Sequence, residues 1–203
     1  MPVKNPNLHG SAPDKSRTAL LLIDVINPLE FPEADQLGSF VPAMARNIWR
    51  LKQRALKARV PVIYVNDNFG RWRSDFRHLV DYCLQGKSRA ARMVKLLQPG
   101  SRDYFVLKPK HSGFFATSLE TLLGYLGVRR LILTGIAGNF CVLFTANDAY
   151  MRDYEITVAP DCVISNTLKE NRQALELMAT ALKADLLVSD RIKLSRSRTP
   201  SRE

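Results

Sequence analysis

The chain has 203 residues, of which 46% are hydrophobic, and its 30 Lys and Arg residues outnumber its 19 Asp and Glu residues, which gives a net charge of +11. This length and apolar content are sufficient for one buried core, and they exclude collagenous and wholly disordered proteins. No stretch is long enough to span a bilayer, and no apolar run follows the first charged residues, so we expect a cytoplasmic protein with no membrane partner.

Short apolar runs alternate with helical patterns along the chain. The runs are rich in aliphatic and β-branched residues, which is typical of strands buried on both faces, and they lie at 18–24, 60–66, 104–108, 129–135, 154–160 and 185–190. Helical spacing of apolar residues is found at 41–55, 118–126, 141–152 and 168–183. This order predicts an α/β fold in which helices cover both faces of a parallel sheet. Ligands then bind outside the carboxyl ends of the strands.

The positive charge is divided between one helix face and the C-terminal end. Four basic residues recur at helical spacing and indicate a solvated face: Arg46, Arg50, Arg54 and Lys57. We expect a flexible segment at 1–16, a single domain at 17–190 and a disordered basic tail at 191–203. Because the chain has neither a recognition motif nor an array of basic and aromatic residues, we expect no nucleic-acid partner.

The glycines and histidines form none of the common cofactor motifs. The first apolar run leads into VINPLEF without a G-x-G-x-x-G, and Asp81 stands where a phosphate-binding loop ending at 86–88 would need glycine. His9, His78 and His111 are isolated and have no zinc-ligand spacing, so each is interpreted as an ordinary loop residue. We therefore expect no cofactor.

Cysteine usage indicates free thiols. Cys83, Cys141 and Cys162 are odd in number, widely separated and include no C-x-x-C pair. This pattern disfavours both a disulfide framework and a zinc ribbon. We assign Cys83 and Cys162 to structural positions and treat Cys141 separately.

Three reactive side chains lie at the predicted carboxyl edge of the sheet. Asp24 ends the first run, Lys108 ends the third, and Cys141 follows Gly135 by six residues, where the fourth strand should turn into a helix. Taken singly, each fits an ordinary role better than a functional one: Asp24 as a turn residue, Lys108 as a solvated lysine and Cys141 as a small buried side chain. Their shared location favours a functional site.

Together these groups would supply the parts of a covalent acyl transfer. A helix N-terminus and a nearby lysine lower the pKa of a thiol, which makes Cys141 a candidate nucleophile. A carboxylate such as Asp24 can take the thiol proton and return it to a leaving amine. The glycine-containing loop 135–140 could direct backbone N–H groups at the oxyanion.

Two segments resemble the isochorismatase-like cysteine hydrolases, a superfamily that includes nicotinamidases, N-carbamoylsarcosine amidohydrolases and biuret or ureidoacrylate hydrolases. The pattern K-P-x-x-S-x-F-F-x-T lies at 108–117, and T-G-x-x-x-x-x-C-V-x-x-T-A-x-x-A lies at 134–149. The likeness covers about residues 17–190. It implies a three-layer α/β/α sandwich with a central six-stranded parallel sheet, and a hydrolase of a small amide, ureido or related C–N bond.

The resemblance also implies the geometry of the site. It assigns the catalytic triad to Cys141, Lys108 and Asp24 and places a non-proline cis peptide between Ile136 and Ala137. The N–H groups of Ala137 and Cys141 would form the oxyanion hole. Relatives are commonly dimers or larger, so we expect a homo-oligomer that acts on a small-molecule substrate.

The chain departs from the nicotinamidase pattern after the second predicted strand. Nicotinamidases have D-x-H there, with a further histidine, and bind a metal, whereas this chain has Asp67-Asn68-Phe69. We therefore predict no bound metal and a substrate other than nicotinamide. Candidate pocket residues, each of which fits core packing or a lid contact equally well, are Phe31, Asn66, Phe69, Trp72 and Phe114.

Two alternatives remain open. The first is isochorismatase-type hydrolysis of a vinyl ether, in which Asp24 protonates the substrate, although relatives with that activity lack the cysteine found here as Cys141. The second is a non-catalytic binding subunit whose basic tail contacts RNA, DNA or an acidic partner.

Overall fold

The computed structural model describes residues 15–30, 34–70, 75–85 and 89–195. Within these ranges the chain forms, in order, β1 (Thr18–Ile23), α1 (Ala34–Leu37), α2 (Val41–Lys57), β2 (Val62–Asp67), α3 (Phe76–Gln85), α4 (Arg89–Leu96), β3 (Tyr104–Lys108), α5 (Leu119–Leu126), β4 (Arg130–Ile136), α6 (Leu143–Tyr150), β5 (Glu155–Ile164), α7 (Leu168–Thr180) and β6 (Asp185–Leu186). A π-helical turn at Gly138–Val142 leads into α6, and a 3-10 turn at Ser189–Arg191 follows β6.

The strands form one parallel sheet in the order β3-β2-β1-β4-β5-β6. The predicted six-stranded parallel sheet is therefore confirmed. From β1 the chain first builds outward through β2 and β3, and then returns to the other side of β1 with β4. In such a sheet, ligands bind at the carboxyl ends of the strands, where the strand order reverses. That point lies between β1 and β4.

Two hydrophobic clusters cover the opposite faces of the sheet. Alternate residues of a strand point to opposite sides, and β1 is buried on both. Leu20 and Leu22 pack in a cluster that includes residues of α2, α3 and α4, whereas Leu21 and Ile23 pack in a cluster that includes residues of α5, α6 and α7. The result is the three-layer sandwich.

Two parts of the chain differ from the sequence prediction. The apolar spacing predicts no helix between the second and third strands, but α3 begins at Phe76 and buries Phe76, Leu79 and Cys83 along one side. The fifth strand continues past Pro160 to Ile164, with a shift of register opposite Gly135. Proline is tolerated at such irregularities, but it is rare inside strands, so the sequence pattern predicts a strand that ends at residue 160.

Gly135 allows β4 to lie close to β1 at the carboxyl edge. It pairs with Ile23 and has a φ of 120°, a backbone conformation that residues other than glycine rarely adopt. A Cβ atom at this position would overlap the carbonyl oxygen of Ile23. The glycine therefore fixes the spacing between the strand that leads to Asp24 and the strand that leads to Cys141.

None of the helices in the described part of the chain is long and apolar enough to cross a membrane.

Candidate active site

Asp24, Lys108 and Cys141 meet at the carboxyl edge of the sheet. Asp24 directly follows β1, Lys108 is the last residue of β3, and Cys141 lies in the π-helical turn after β4. The ammonium group of Lys108 is fully buried, and its Nζ lies 2.9 Å from Oδ2 of Asp24 and 3.4 Å from Sγ of Cys141. One buried cation thus contacts both the carboxylate and the thiol.

The carboxylate of Asp24 is held by the neighbouring strand. Its backbone has a φ of 50°, and its N–H donates to the carbonyl of Val65 at 2.9 Å. Its Oδ1 accepts the backbone N–H of Asp67 at 2.6 Å, while Oδ2 faces Lys108. Each oxygen has its own partner, so the orientation of the group is fixed.

Asp67 provides a second carboxylate that the sequence analysis did not assign to the site. It ends β2 in register with Lys108, and its Oδ2 lies 3.3 Å from the lysine Nζ. Its Oδ1 accepts the N–H of Phe69 at 2.7 Å, which closes a local turn. Like Asp24, Asp67 is a carboxylate at the end of a buried strand, which is the sequence feature that could have identified it.

The electrostatics of the site differ from the sequence prediction. Burial raises the pKa of Asp24, and the charge of Lys108 only partly offsets this effect. Burial acts to lower the pKa of Lys108, but the negative charges around it raise this pKa above its usual range. For Cys141, burial first and the charge of Asp24 second raise the pKa to about 12. The expected lowering of the thiol pKa is therefore wrong, and the thiol is protonated at neutral pH before substrate binds.

Asp24→Asn is expected to accelerate alkylation of Cys141 by iodoacetamide at pH 8. The substitution removes a charge that raises the thiol pKa, while Lys108 continues to lower it. Because the thiolate is the reactive form, each unit of pKa lowering gives roughly a tenfold higher rate. Mass spectrometry of the Cys141 peptide over time measures that rate. Lys108→Met should slow the reaction, and equal rates in all three proteins would show that burial alone sets the pKa.

The loop before the nucleophile folds back on its own backbone. The peptide bond between Ile136 and Ala137 is cis. The carbonyl of Ala137 accepts the N–H groups of Phe140 at 3.0 Å and Val142 at 3.1 Å. These bonds shape the turn that carries Cys141, and the N–H groups of Ala137 and Cys141 remain the predicted oxyanion donors.

A polar pair, formed by Ser165 directly after β5 and Asn171 on α7, supports this loop. The N–H of Asn139 donates to Oγ of Ser165 at 3.0 Å, and Ser165 lies 3.0 Å from Oδ1 of Asn171. A Cβ atom at Gly138 would lie 2.7 Å from Ser165 Oγ and 2.8 Å from Asn171 Oδ1. The absence of a side chain at Gly138 therefore lets the loop pack against this polar pair.

His111 also lies beside the nucleophile. Its Nδ1 is 3.7 Å from Sγ of Cys141. Its ring centroid is 5.6 Å from that of Phe140 and 5.4 Å from that of Phe144. Its isolation from other histidines indicates an ordinary loop residue, but His111 stands only three positions after Lys108 within the same motif.

Among the candidate pocket residues, Phe69 adjoins the site. It follows the turn closed by Asp67, has a φ of 50° and leaves 39% of its surface exposed. Phe31 and Trp72 lie outside the described residues. The backbone of Phe69 is thus bonded to Asp67, whose other carboxylate oxygen contacts Lys108.

The other two candidates pack within the protein. Asn66 is fully buried and donates from Nδ2 to the carbonyl of Ile26 at 2.7 Å. Phe114 is buried, with its ring centroid 5.9 Å from that of Tyr154 and 4.9 Å from the guanidinium carbon of Arg152. These contacts agree with core packing, the other interpretation of both residues.

In the part of the chain that the structure describes, no group of three or more His, Cys, Asp or Glu side chains is arranged to hold a metal ion.

Comparisons with known proteins agree with this fold. A family model described as the isochorismatase domain matches residues 18–187. YaaI of Bacillus subtilis, an uncharacterized isochorismatase family protein, is 42% identical over 178 residues, which cover 88% of this chain and 97% of YaaI. The ureidoacrylate amidohydrolase RutB of Acinetobacter baylyi is 41% identical over 76 residues, which cover 35% of this chain and 31% of RutB. The crystal structure of N-carbamoylsarcosine amidase from Thermoplasma acidophilum superposes with a TM-score of 0.66 at 23% identity and covers 87% of this chain and 99% of its own. The chain therefore belongs to the isochorismatase family of hydrolases.

Proposed function

We propose that this protein hydrolyses a small amide or ureido C–N bond through Cys141, Lys108 and Asp24, with a thioester acyl-enzyme as intermediate. The observation that carries the proposal is the position of the Lys108 ammonium, 2.9 Å from the Asp24 carboxylate and 3.4 Å from the Cys141 thiol. A nucleophile, a base and a cation between them are the groups that acyl transfer to a thiol requires.

In the first half of the reaction, Sγ of Cys141 attacks the substrate carbonyl carbon as Asp24 accepts the thiol proton. The thiol holds its proton until then, because its pKa is about 12. The N–H groups of Ala137 and Cys141 would bind the oxyanion. Collapse of this intermediate breaks the C–N bond, and Asp24 returns the proton to the leaving nitrogen.

Lys108 balances the charges during this transfer. As the thiol proton moves to Asp24, negative charge develops on the sulfur before it passes to the carbonyl oxygen, and both the carboxylate and the sulfur lie within contact distance of the ammonium. Because the ammonium is fully buried, little water screens this interaction. Lys108 therefore stabilises both the starting carboxylate and the thiolate that follows.

The choice of a C–N bond is supported by two of the relatives. RutB is named as an amidohydrolase of ureidoacrylate, and the archaeal structure is named as an amidase of N-carbamoylsarcosine. Both names specify cleavage of a nitrogen–carbonyl bond in a small molecule. A ureido or simple amide substrate is therefore the first class to test.

A second candidate function is hydrolysis of a vinyl ether by Asp24. The raised pKa of Asp24 favours this chemistry, because an acid must hold its proton in order to donate it to carbon. Cys141 would have no covalent role in that reaction. Amide hydrolysis thus requires the thiol of Cys141, whereas vinyl-ether hydrolysis does not.

A screen of small amides, ureido compounds and biuret tests the proposal by measuring ammonia release. We expect release from at least one class with the wild-type protein, and none above background with Cys141→Ala. Release at equal rates from both proteins would contradict the covalent mechanism. No release from any compound would contradict the proposed bond class.

A further inference from the structure

We propose that His111 is the catalytic base of the deacylation step, in which water cleaves the thioester on Cys141. This inference rests on the proposed acyl-enzyme mechanism. Its basis is the distance of 3.7 Å between Nδ1 of His111 and Sγ of Cys141, the atom that carries the acyl group. Imidazole is the most frequent general base in enzymes, and the triad already described leaves this one without a role.

The His111 ring is held by the helical segment that carries the nucleophile. Phe140 directly precedes Cys141, and Phe144 follows it by one turn, so both rings belong to the same helical segment as the thiol. They flank the imidazole at interplanar angles of 40° and 42°. Both phenylalanines leave nearly half of their surface exposed. Their contact with His111 keeps its Nδ1 close to Sγ.

The backbone of the His111 loop is tied to the same segment. The N–H of Gly113 donates to Oγ1 of Thr145 at 3.0 Å, and this hydroxyl donates to the carbonyl of Cys141 at 2.7 Å. A Cβ atom at Gly113 would lie 2.7 Å from the side chain of Val65, so the loop packs tightly against the sheet. Two hydrogen bonds therefore connect the loop to the nucleophile itself.

His111 and Asp24 approach the sulfur from different environments. Asp24 is buried, with one oxygen bonded to the N–H of Asp67 and the other to Lys108. His111 is exposed. After the amine has left, the water that cleaves the thioester must come from solvent, and the exposed imidazole is accessible to it. The exposed base thus suits the water-dependent half of the reaction, while the buried carboxylate suits the transfer to the amine.

The proton and bond changes balance without another reactant. Nδ1 of the neutral Nε2–H tautomer of His111 accepts a proton from water as the water oxygen bonds to the acyl carbon. The tetrahedral intermediate collapses and breaks the C–S bond. His111 then gives the same proton to Sγ of Cys141. The products are a carboxylic acid, the free thiol and the neutral imidazole.

The experiment uses p-nitrophenyl acetate, whose leaving group needs no proton, with His111→Phe in the full-length protein. Phenylalanine keeps the ring between Phe140 and Phe144 but has no nitrogen. We expect an initial burst of about one p-nitrophenol per chain, as in a normal acylation, and a steady-state rate roughly 100-fold lower than that of the wild type. Intact mass spectrometry should show the acetyl group retained on the protein and absent from Cys141→Ala. Added imidazole should restore part of the rate of His111→Ala.

The matched control is His78→Phe, an exposed histidine on α3 that pairs with Asp75. It should match the wild type in both phases. If His111→Phe keeps the wild-type steady-state rate, the inference is wrong and the triad is unaffected. If the burst is lost with the steady state, His111 acts before deacylation and the inference is again wrong. A wild-type protein that released p-nitrophenol no faster than Cys141→Ala would instead contradict the covalent mechanism itself.

Discussion

Cys141→Ala is expected to lower the rate of amide hydrolysis by about four orders of magnitude or more. The acyl group then has no sulfur to bond to, and loss of a covalent nucleophile has effects of this size in other triad enzymes. The fold should survive, because the thiol is only partly buried and alanine is smaller. The ratio of kcat/KM values for an amide found by ammonia release measures the effect, and the thermal midpoint checks the fold.

Cys83→Ala is the matched control for this substitution. Cys83 is buried in the helical layer of α3, so its replacement should lower stability slightly and leave kcat unchanged. Asp24→Asn should also remove turnover under either proposed function. With a vinyl ether as substrate, an inactive Asp24→Asn beside a fully active Cys141→Ala would favour the acid-catalysed mechanism over the covalent one.

Gly135→Ala is expected to destabilise the fold by more than about 4 kcal/mol, a large part of the stability of an ordinary domain. The added Cβ would overlap the carbonyl oxygen of Ile23 on the paired strand, and the φ of 120° is itself unfavourable for alanine. Both atoms belong to the central strands, which have little room to separate. Soluble yield and the midpoint of urea unfolding measure the effect.

Gly124→Ala serves as the comparison for Gly135→Ala. Gly124 lies exposed within α5, and a Cβ atom there would meet nothing within 4 Å. Alanine favours the helix over glycine by about 0.5–1 kcal/mol, so this variant should be slightly more stable than the wild type. If the two variants unfolded at the same urea concentration, the contact with Ile23 would not be a constraint on the sheet.

The central sheet could be predicted because its strands are buried on both faces. The run at 18–24 contains almost nothing but aliphatic residues, and such a run admits few interpretations. The helices α3 and α4 were not predicted from the sequence, because they are short and follow an irregular polar stretch. The second half of β5 was missed because it depends on a register shift against β4, which is a tertiary feature.

At the candidate site, the predicted strand ends were sufficient to select the side chains. They were not sufficient to predict the distances between those side chains. The approach of Asp24, Lys108 and Cys141 follows from the strand order, which the alternating pattern predicts in part. The thiol pKa depends on how closely Asp24 approaches the sulfur and on how deeply both are buried, so the prediction from the helix N-terminus and the lysine had the wrong sign. The position of His111 depends on a loop that is fixed by Thr145 of the following helix, and local pattern carries no information about that bond.

Because Lys108 extends to the site from the outermost strand, the site depends on the pairing of that strand with its neighbour. β3 is the outermost strand on its side, and the lysine at its end extends past β2 to the carboxylate that follows β1. If β3 separated from β2 in mild denaturant, the nucleophile and the base would stay on the central strands but lose the cation between them. Inactivation would then precede unfolding of the core. Turnover would therefore report the separation of β3 from β2, which spectroscopic probes of the central strands do not detect.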